Sequence, residues 1–295
     1  MADLFAGVEL GGTKCILLLA RGPDEIIERV QLDTGDPDDT LSSIEHILAR
    51  WQSATRFEAL GIGSFGPLNL DPASPRYGEV TNSPKLRWRG ARVLSRLSAA
   101  AGVPARIDTD VNGAALAEIR WGSGRGYEDF AYITVGTGVG VGLIVNGQPT
   151  RGFSHCELGH IRTARLPGDE WKGSCPFHGD CVEGLASGPA LKARLGSELA
   201  LQLDRGHPVW KSVSWALAQL CHTIVCAAAP RAIAIGGGVV EGNPHLIQEV
   251  QEMLVESLAG YVEIPASRQP YVGAPVLGSG AGPLGAIALA MTARD

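Results

Sequence analysis

The chain has 295 residues, a length that suggests about two domains and enough material for a sizeable core. Apolar residues make up 45% and charged residues 19%, with a net charge of -6 and no basic tract. That balance argues against nucleic acid or an anionic membrane as a partner. The N-terminal residues Met1, Ala2, Asp3 and Leu4 lack the basic start and apolar core of a signal peptide. Apolar runs such as Ile16 to Ala20 are far too short to span a bilayer, so a cytoplasmic location is expected.

Leu4 to Leu10 is a short apolar run, Gly11-Gly12-Thr13-Lys14 turns it, and Cys15 to Ala20 is apolar again. Two such runs about a Gly pair predict a β-hairpin. The spacing of Leu41, Ile44, Leu48 and Trp51 predicts a helix. Ala59 to Phe65 reads as a buried strand before Gly66-Pro67, Val93 to Ala101 as a helix and Ala105 to Ile107 as a strand. Asp110 to Trp121 has a polar start and an Ala-rich helical body. A second round follows: strand Phe130 to Val135, turn Gly136-Thr137-Gly138, strand Val139 to Val145. The echo of the first hairpin suggests two related domains. Helices are predicted at Ser187 to Leu195, Trp215 to Ala228, Pro244 to Ala259 and Gly282 to Thr292, with a buried strand, Ala232 to Ile235, running into Gly236-Gly237-Gly238. Strands alternating with helices indicate an α/β architecture.

Glycine lets a backbone come close to a phosphate with its N–H groups turned toward the oxygens. The Gly11-Gly12-Thr13-Lys14 turn adds a hydroxyl and a positive charge, and Gly136-Thr137-Gly138 repeats the logic. Each alone is an ordinary turn; the pair points to a nucleotide. Neither is a Walker A sequence or a GxGxxG fingerprint. Gly236 to Gly238 is a third place where a ligand could approach the end of a strand. Asp110, at a strand-to-helix junction, is either a helix N-cap or a general base within reach of a hydroxyl.

The sharpest local signal is His160, Cys175, His178 and Cys181. Two thiolates and two imidazoles suit tetrahedral Zn²⁺, and four protein ligands leave no open position, so the ion is expected to be structural. Glu157 and Glu183 flank this loop. They are surface charges or, pinned by a metal-bound loop, acceptors for the hydroxyls of one ligand. Cys15, Cys156, Cys221 and Cys226 read as small hydrophobes.

Taken together the chain resembles the ROK family (repressors, open reading frames and sugar kinases), and within it the bacterial fructokinase branch. The matching segments run nearly end to end: Glu9 to Lys14, Gly61 to Pro67, Asp110 to Asn112, Gly136 to Gly140, Glu157 to His160, Cys175 to Glu183, Gly184 to Pro189 and Ile235 to Val239. The resemblance implies an actin-like ATPase (ribonuclease H-like) fold, two α/β domains with a cleft between them. The first spans 1–115 plus a C-terminal helix at 281–295 and carries the first phosphate turn and Asp110. The second spans 116–280 with the zinc loop and the nucleoside site. It implies Asp110 as catalytic base and sugar contacts at Asn82, Asn112, Glu157, His160 and Glu183. ATP phosphates would lie at Gly11, Gly12, Thr13, Lys14, Gly136, Thr137 and Gly138, with Gly237 and Gly238 near the nucleoside. Mg²⁺ would accompany ATP, Zn²⁺ would bind His160, Cys175, His178 and Cys181, and the protein would be a homodimer.

Two positions depart from the usual pattern. Most relatives carry Asp where this chain has Glu9, although Glu also occurs in the fructokinase branch. Relatives often have Asp-Asn where this chain has Ser279-Gly280. Repressors of the family carry a winged helix ahead of the kinase-like part, and no such module is expected here. The activity implied is ATP-dependent phosphorylation of fructose to fructose 6-phosphate. Glucose, mannose and N-acetylmannosamine are competing substrates. A non-catalytic sugar or ATP sensor and a zinc hydrolase are the alternatives from other classes.

Overall fold

The computed structural model describes residues 3–196, 203–265 and 270–293. Positions 1–2 and 294–295 of the expected first domain, and 197–202 and 266–269 of the expected second, lie outside the described residues. The chain forms two compact units. One comprises residues up to 125, 149–155 and 279 onward; the other comprises 126–148 and 156–278. The boundary expected at 115 falls inside helix α3 (Asp110–Trp121), which the first unit carries whole.

In the first unit β1 (Phe5–Leu10), β2 (Lys14–Gly22) and β3 (Glu25–Asp33) form an antiparallel meander. β4 (Ala59–Ser64) and β5 (Ala105–Thr109) extend it in parallel, giving the order β3-β2-β1-β4-β5. Helix α1 (Pro37–Ala54) starts where the Asp36 side chain accepts from Asp38 N and Pro37 opens the first turn, a capping arrangement that satisfies a free amide. It buries Leu41, Ile44, Leu48 and Trp51, the stripe that its periodicity predicts. Helix α2 (Val93–Ala101) ends at Gly102 in the left-handed conformation. β3 is absent from the sequence reading. It is an edge strand in which only alternate residues such as Val30 and Leu32 are partly packed, so its apolar signal is weak.

Helix α9 (Ala281–Met291) lies against β1 and β4. A Cβ at Gly61 would stand 1.9 Å from the Ala286 carbonyl oxygen. Glycine in β4 is therefore what lets this helix come close enough to seal the sheet.

The second unit contains β6 (Phe130–Val135), β7 (Val139–Val145), β8 (Gln148–Pro149), β9 (Ile233–Gly236) and β10 (Val272–Gly273) in the order β10-β9-β6-β7-β8. β6 and β7 are antiparallel, whereas β6, β9 and β10 are parallel. Read from the other edge, this is the order of the first sheet, so the echoed hairpins are the central strands of two sheets with one topology. Helices α4 (Val182–Ala186), α5 (Gly188–Leu195), α6 (Val209–Ala228), α7 (Gly238–Glu241) and α8 (His245–Leu258) complete the unit. α6 begins six residues before its predicted start. Its first turns mix Val209 and Trp210 with Lys211, Ser212 and Ser214. The buried Ser214 is satisfied by donating to Glu249 at 2.8 Å, a tertiary contact that periodicity does not show. No helix among the described residues is long and apolar enough to cross a membrane.

Candidate active site and metal centre

In the first unit the β1–β2 turn is closed by Gly11 N donating to the Lys14 carbonyl at 3.1 Å. Thr34 fastens it from β3's end, its hydroxyl donating to the Gly11 carbonyl at 2.8 Å and its N–H to the Thr13 carbonyl at 2.9 Å. Thr13 and Lys14 are left exposed, free to meet a ligand. At Gly12 an added Cβ would find only the Lys85 side chain, at 3.4 Å.

Asp110 is the first residue of α3. The N-cap is Thr109, whose hydroxyl accepts from Asn112 N at 3.2 Å. The capping role weighed for Asp110 thus belongs to its neighbour, and its carboxylate accepts from Val111 N at 2.9 Å and from its own backbone amide. Burial pushes Asp110 up to about 6, against the opposing pull of the Val111 amide. Glu9, at the end of β1, is raised to about 7, by burial first and by the Asp110 charge second, with Lys14 and Arg29 opposing. The Glu9 carboxylate sits against Gly282, where a Cβ would be 1.9 Å from Oε1.

Two interacting carboxyls titrate as a pair. If Asp110 must be ionised to accept a proton, kcat/KM rises with pH through an apparent value of about 6 to 7, and initial rates from pH 5 to 8 check this. The stability sign is opposite. Both folded values lie above the unfolded ones, so the folded state holds its protons longer. The contribution of these groups falls as pH rises from about 4 to about 7.

Asn112 is buried, and its amide donates to Asp108 Oδ1 at 2.7 Å. Its carbonyl and its second amide hydrogen remain for a ligand. Asp108 is fully buried and also accepts from Thr109 N at 2.8 Å and from Arg151. The sequence reading missed this cluster, because Asp108 and Arg151, 43 positions apart, are brought together only in the folded unit. The segment 149–155 is fixed further by His155 Nε2, which accepts from Leu68 N at 3.0 Å. Asn82 is exposed.

In the second unit Cys175 and Gly179 exchange backbone hydrogen bonds of 3.1 and 2.9 Å, a tight knuckle that brings His178 back beside Cys175. Cys181 follows as the N-cap residue of α4, and Val182 N donates to the Ile161 carbonyl at 3.1 Å, drawing in the short 3-10 turn Leu158–His160. The donor atoms of His160, Cys175, His178 and Cys181 all lie within 4.8 Å of one another. Cys175 Sγ is 3.7 Å from both His160 Nδ1 and His178 Nδ1, and Cys181 Sγ is 3.6 Å from His160 Nδ1. A tetrahedron with Zn–S of about 2.3 Å and Zn–N of about 2.0–2.1 Å has an S···N edge of about 3.6 Å, so the donor set fits the ion. Burial pushes the Cys181 thiol up to about 11, and Cys175 adds to the rise; a dication among the donors reverses that balance.

With Nδ1 turned to the sulfurs, His160 presents Nε2 to Glu183 Oε1 at 3.9 Å. The other Glu183 oxygen accepts from Val139 N at 3.2 Å. Glu183 is therefore half-buried between the Cys/His cluster and the second glycine turn, and is not a surface charge. Glu157 stands exposed just ahead of the 3-10 turn. The second turn is closed by Gly136 N donating to the Gly138 carbonyl at 2.8 Å, and Thr137 is exposed. Gly237 has φ +90°, and a Cβ there would lie 2.6 Å from Val135 N, so the fold itself requires glycine. At Gly136 and Gly238 a Cβ would meet nothing within 4 Å. Packing therefore does not account for these two glycines.

The duplicated sheets and the two glycine-turned hairpins define a protein of the actin-like ATPase fold. The chain belongs to the ROK family, whose model matches residues 5–293. It is 38% identical over 296 residues to a fructokinase of Zymomonas mobilis, covering 99% of this chain and 98% of the relative. Among solved structures it is similar to a ROK hexokinase from Thermus thermophilus, with a TM-score of 0.78, 28% identity and 98% of each chain covered. A ROK family glucokinase from Streptomyces griseus, solved with glucose and AMPPNP, shares the fold with a TM-score of 0.74 at 24% identity, covering 98% of this chain and 99% of that one.

Proposed function

We propose that the protein transfers the γ-phosphoryl group of ATP to a hydroxyl of a free hexose, with fructose as substrate and fructose 6-phosphate as product. The observation that carries this is Asp110, a carboxylate relieved of capping duty and raised to about 6 by burial, in the same unit as a glycine turn that exposes Thr13 and Lys14. Similarity to fructokinases supports the choice of sugar.

Asp110 takes the proton of the attacking hydroxyl while that oxygen bonds to the γ-phosphorus. The bond from phosphorus to the β,γ-bridging oxygen breaks, and its electrons leave with ADP. Lys14, the Thr13 hydroxyl and the amides of Gly11 and Gly12 balance charge on the transferring group. In the second unit Gly136, Thr137 and Gly138 are assigned to phosphates and Gly237 and Gly238 to the nucleoside. Asn82, the Asn112 carbonyl, Glu157, Glu183 and His160 Nε2 are assigned to sugar hydroxyls. Mg²⁺ accompanying ATP would supply further charge neutralisation, and the Glu9 carboxylate is the kind of oxygen donor that would hold such a hard cation. Zn²⁺ held by His160, Cys175, His178 and Cys181 would be structural, because four protein donors leave no position for a reacting water. A cytoplasmic homodimer completes the reading, in line with the family resemblance.

A coupled ADP-release assay with Mg-ATP over fructose, glucose, mannose and N-acetylmannosamine tests it, with Asp110→Asn as control. Turnover is expected to be highest on fructose. Preference for another hexose keeps the mechanism and corrects the substrate; no turnover on any sugar overturns the kinase reading.

A further inference from the structure

Lys85 has no role in anything derived above. It follows Asn82-Ser83-Pro84 and precedes the 3-10 turn Leu86–Trp88. Its backbone is fixed at both ends, with N donating to Ser83 Oγ at 3.2 Å and the carbonyl accepting from Trp88 N at 2.9 Å. Trp88 is itself buried, donates to the Gly35 carbonyl at 3.1 Å and meets the Phe65 ring edge-on at 5.3 Å. The Lys85 ammonium lies 6.0 Å from the Phe65 ring centroid. Its Cε is the one atom that a Cβ on Gly12 would approach within 4 Å, at 3.4 Å. A rigid aromatic platform therefore carries a half-buried lysine stem across the first glycine turn.

Three neighbouring arginines are held by carboxylates, and Arg89 donates to the Ser83 carbonyl at 2.9 Å. Arg87 pairs with Asp36, Arg92 with Glu79, and Arg96 with Asp38 and Glu45. Among the described residues no carboxylate pairs with Lys85. A surface lysine resting its stem on an aromatic ring is ordinary. A half-buried one without a counter-ion, laid over a turn whose glycine packing does not demand, calls for an anion from outside the protein.

We propose that Lys85 is a further catalytic residue of the phosphoryl transfer. Its ammonium contacts the terminal phosphate oxygens of the nucleotide held at Gly11 to Lys14 and stays with the phosphoryl group as it moves to the sugar. The inference rests on the kinase reading and adds a second point charge beside Lys14, in the place where negative charge is spread during transfer.

Lys85→Met keeps the apolar stem on Phe65 and removes only the charge. Titrating wild type and variant with Mg-ATP and with AMP, by intrinsic tryptophan fluorescence, reads nucleotide affinity without turnover. ATP affinity is expected to fall about 10-fold, as for loss of one hydrogen bond to a charged group, with AMP affinity unchanged. kcat should fall about 10²-fold at an unchanged melting temperature and sugar KM, and Lys85→Arg should recover part of the loss. Unchanged ATP affinity and kcat in Lys85→Met would overturn the proposal while leaving the kinase reading intact. Equal losses for ATP and AMP with a lowered melting temperature would overturn it as a folding effect. A wild type inactive on every hexose, yet with ATP affinity dependent on Lys85, would sink the kinase reading and uphold the phosphate contact.

Discussion

Asp110→Asn is expected to fold normally and to lose roughly 10²–10⁴-fold in turnover. The substitution is close to a test of charge alone. Thr109 caps α3, so the helix start survives. The backbone hydrogen bonds to the Asp110 side chain, from Val111 N and its own amide, can be accepted equally by an amide oxygen. What asparagine cannot do is take a proton. At neutral pH the exchange also removes a carboxylate that burial disfavours in its charged form, so the melting temperature should hold or rise slightly. Far-UV circular dichroism and thermal melting establish the fold, and the coupled assay reads the loss. Near-normal turnover by a folded Asp110→Asn protein would remove Asp110 from the chemistry.

The second large effect concerns the Cys/His cluster. Stripping the metal with a chelator, or replacing Cys181 by Ser, is expected to lower thermal stability and to raise the KM for sugar, with a smaller effect on kcat. The loop from 156 to 181 has little regular structure beyond one 3-10 turn and one knuckle. A metal joining four of its side chains would contribute its binding energy directly to folding. His160 faces Glu183, which in turn accepts from the second glycine turn, so loosening the cluster should be felt at the residues assigned to sugar. Metal analysis should find about one zinc per chain, the occupancy of one four-donor site. Replacement by Co²⁺ should show the visible absorption of a tetrahedral sulfur- and nitrogen-ligated ion. A metal-free protein with unchanged melting and unchanged sugar KM would contradict the assignment.

Much of the fold is legible in the chain because its signals are local. Helix α2 and the strands β6 and β7 match their predicted bounds, since each is a short apolar element closed by glycine or polar residues. The two strand–glycine–strand hairpins are visible as a weak echo, and the echo corresponds to two sheets of one order. β3 and the first turns of α6 carry no such local signal. The former is a polar edge strand, and the latter hides its serines by a contact to Glu249.

What the amino-acid sequence determined by itself was the inventory: the elements, the glycine turns, the Cys and His donors at short spacing and a carboxylate at a strand-to-helix junction. Each depends on residues near one another in the chain. The tertiary structure alone decided what those groups experience. It assigned the cap to Thr109 and left Asp110 with a raised pKa beside Glu9. It turned the Asn112 amide onto buried Asp108, bound Glu183 to the second turn and laid Lys85 across the first. The cap and the Asn112 contact are local, but Glu9 with Asp110, Glu183 with Val139 and Lys85 with Gly12 are tens of positions or more apart, and only packing brings such residues together.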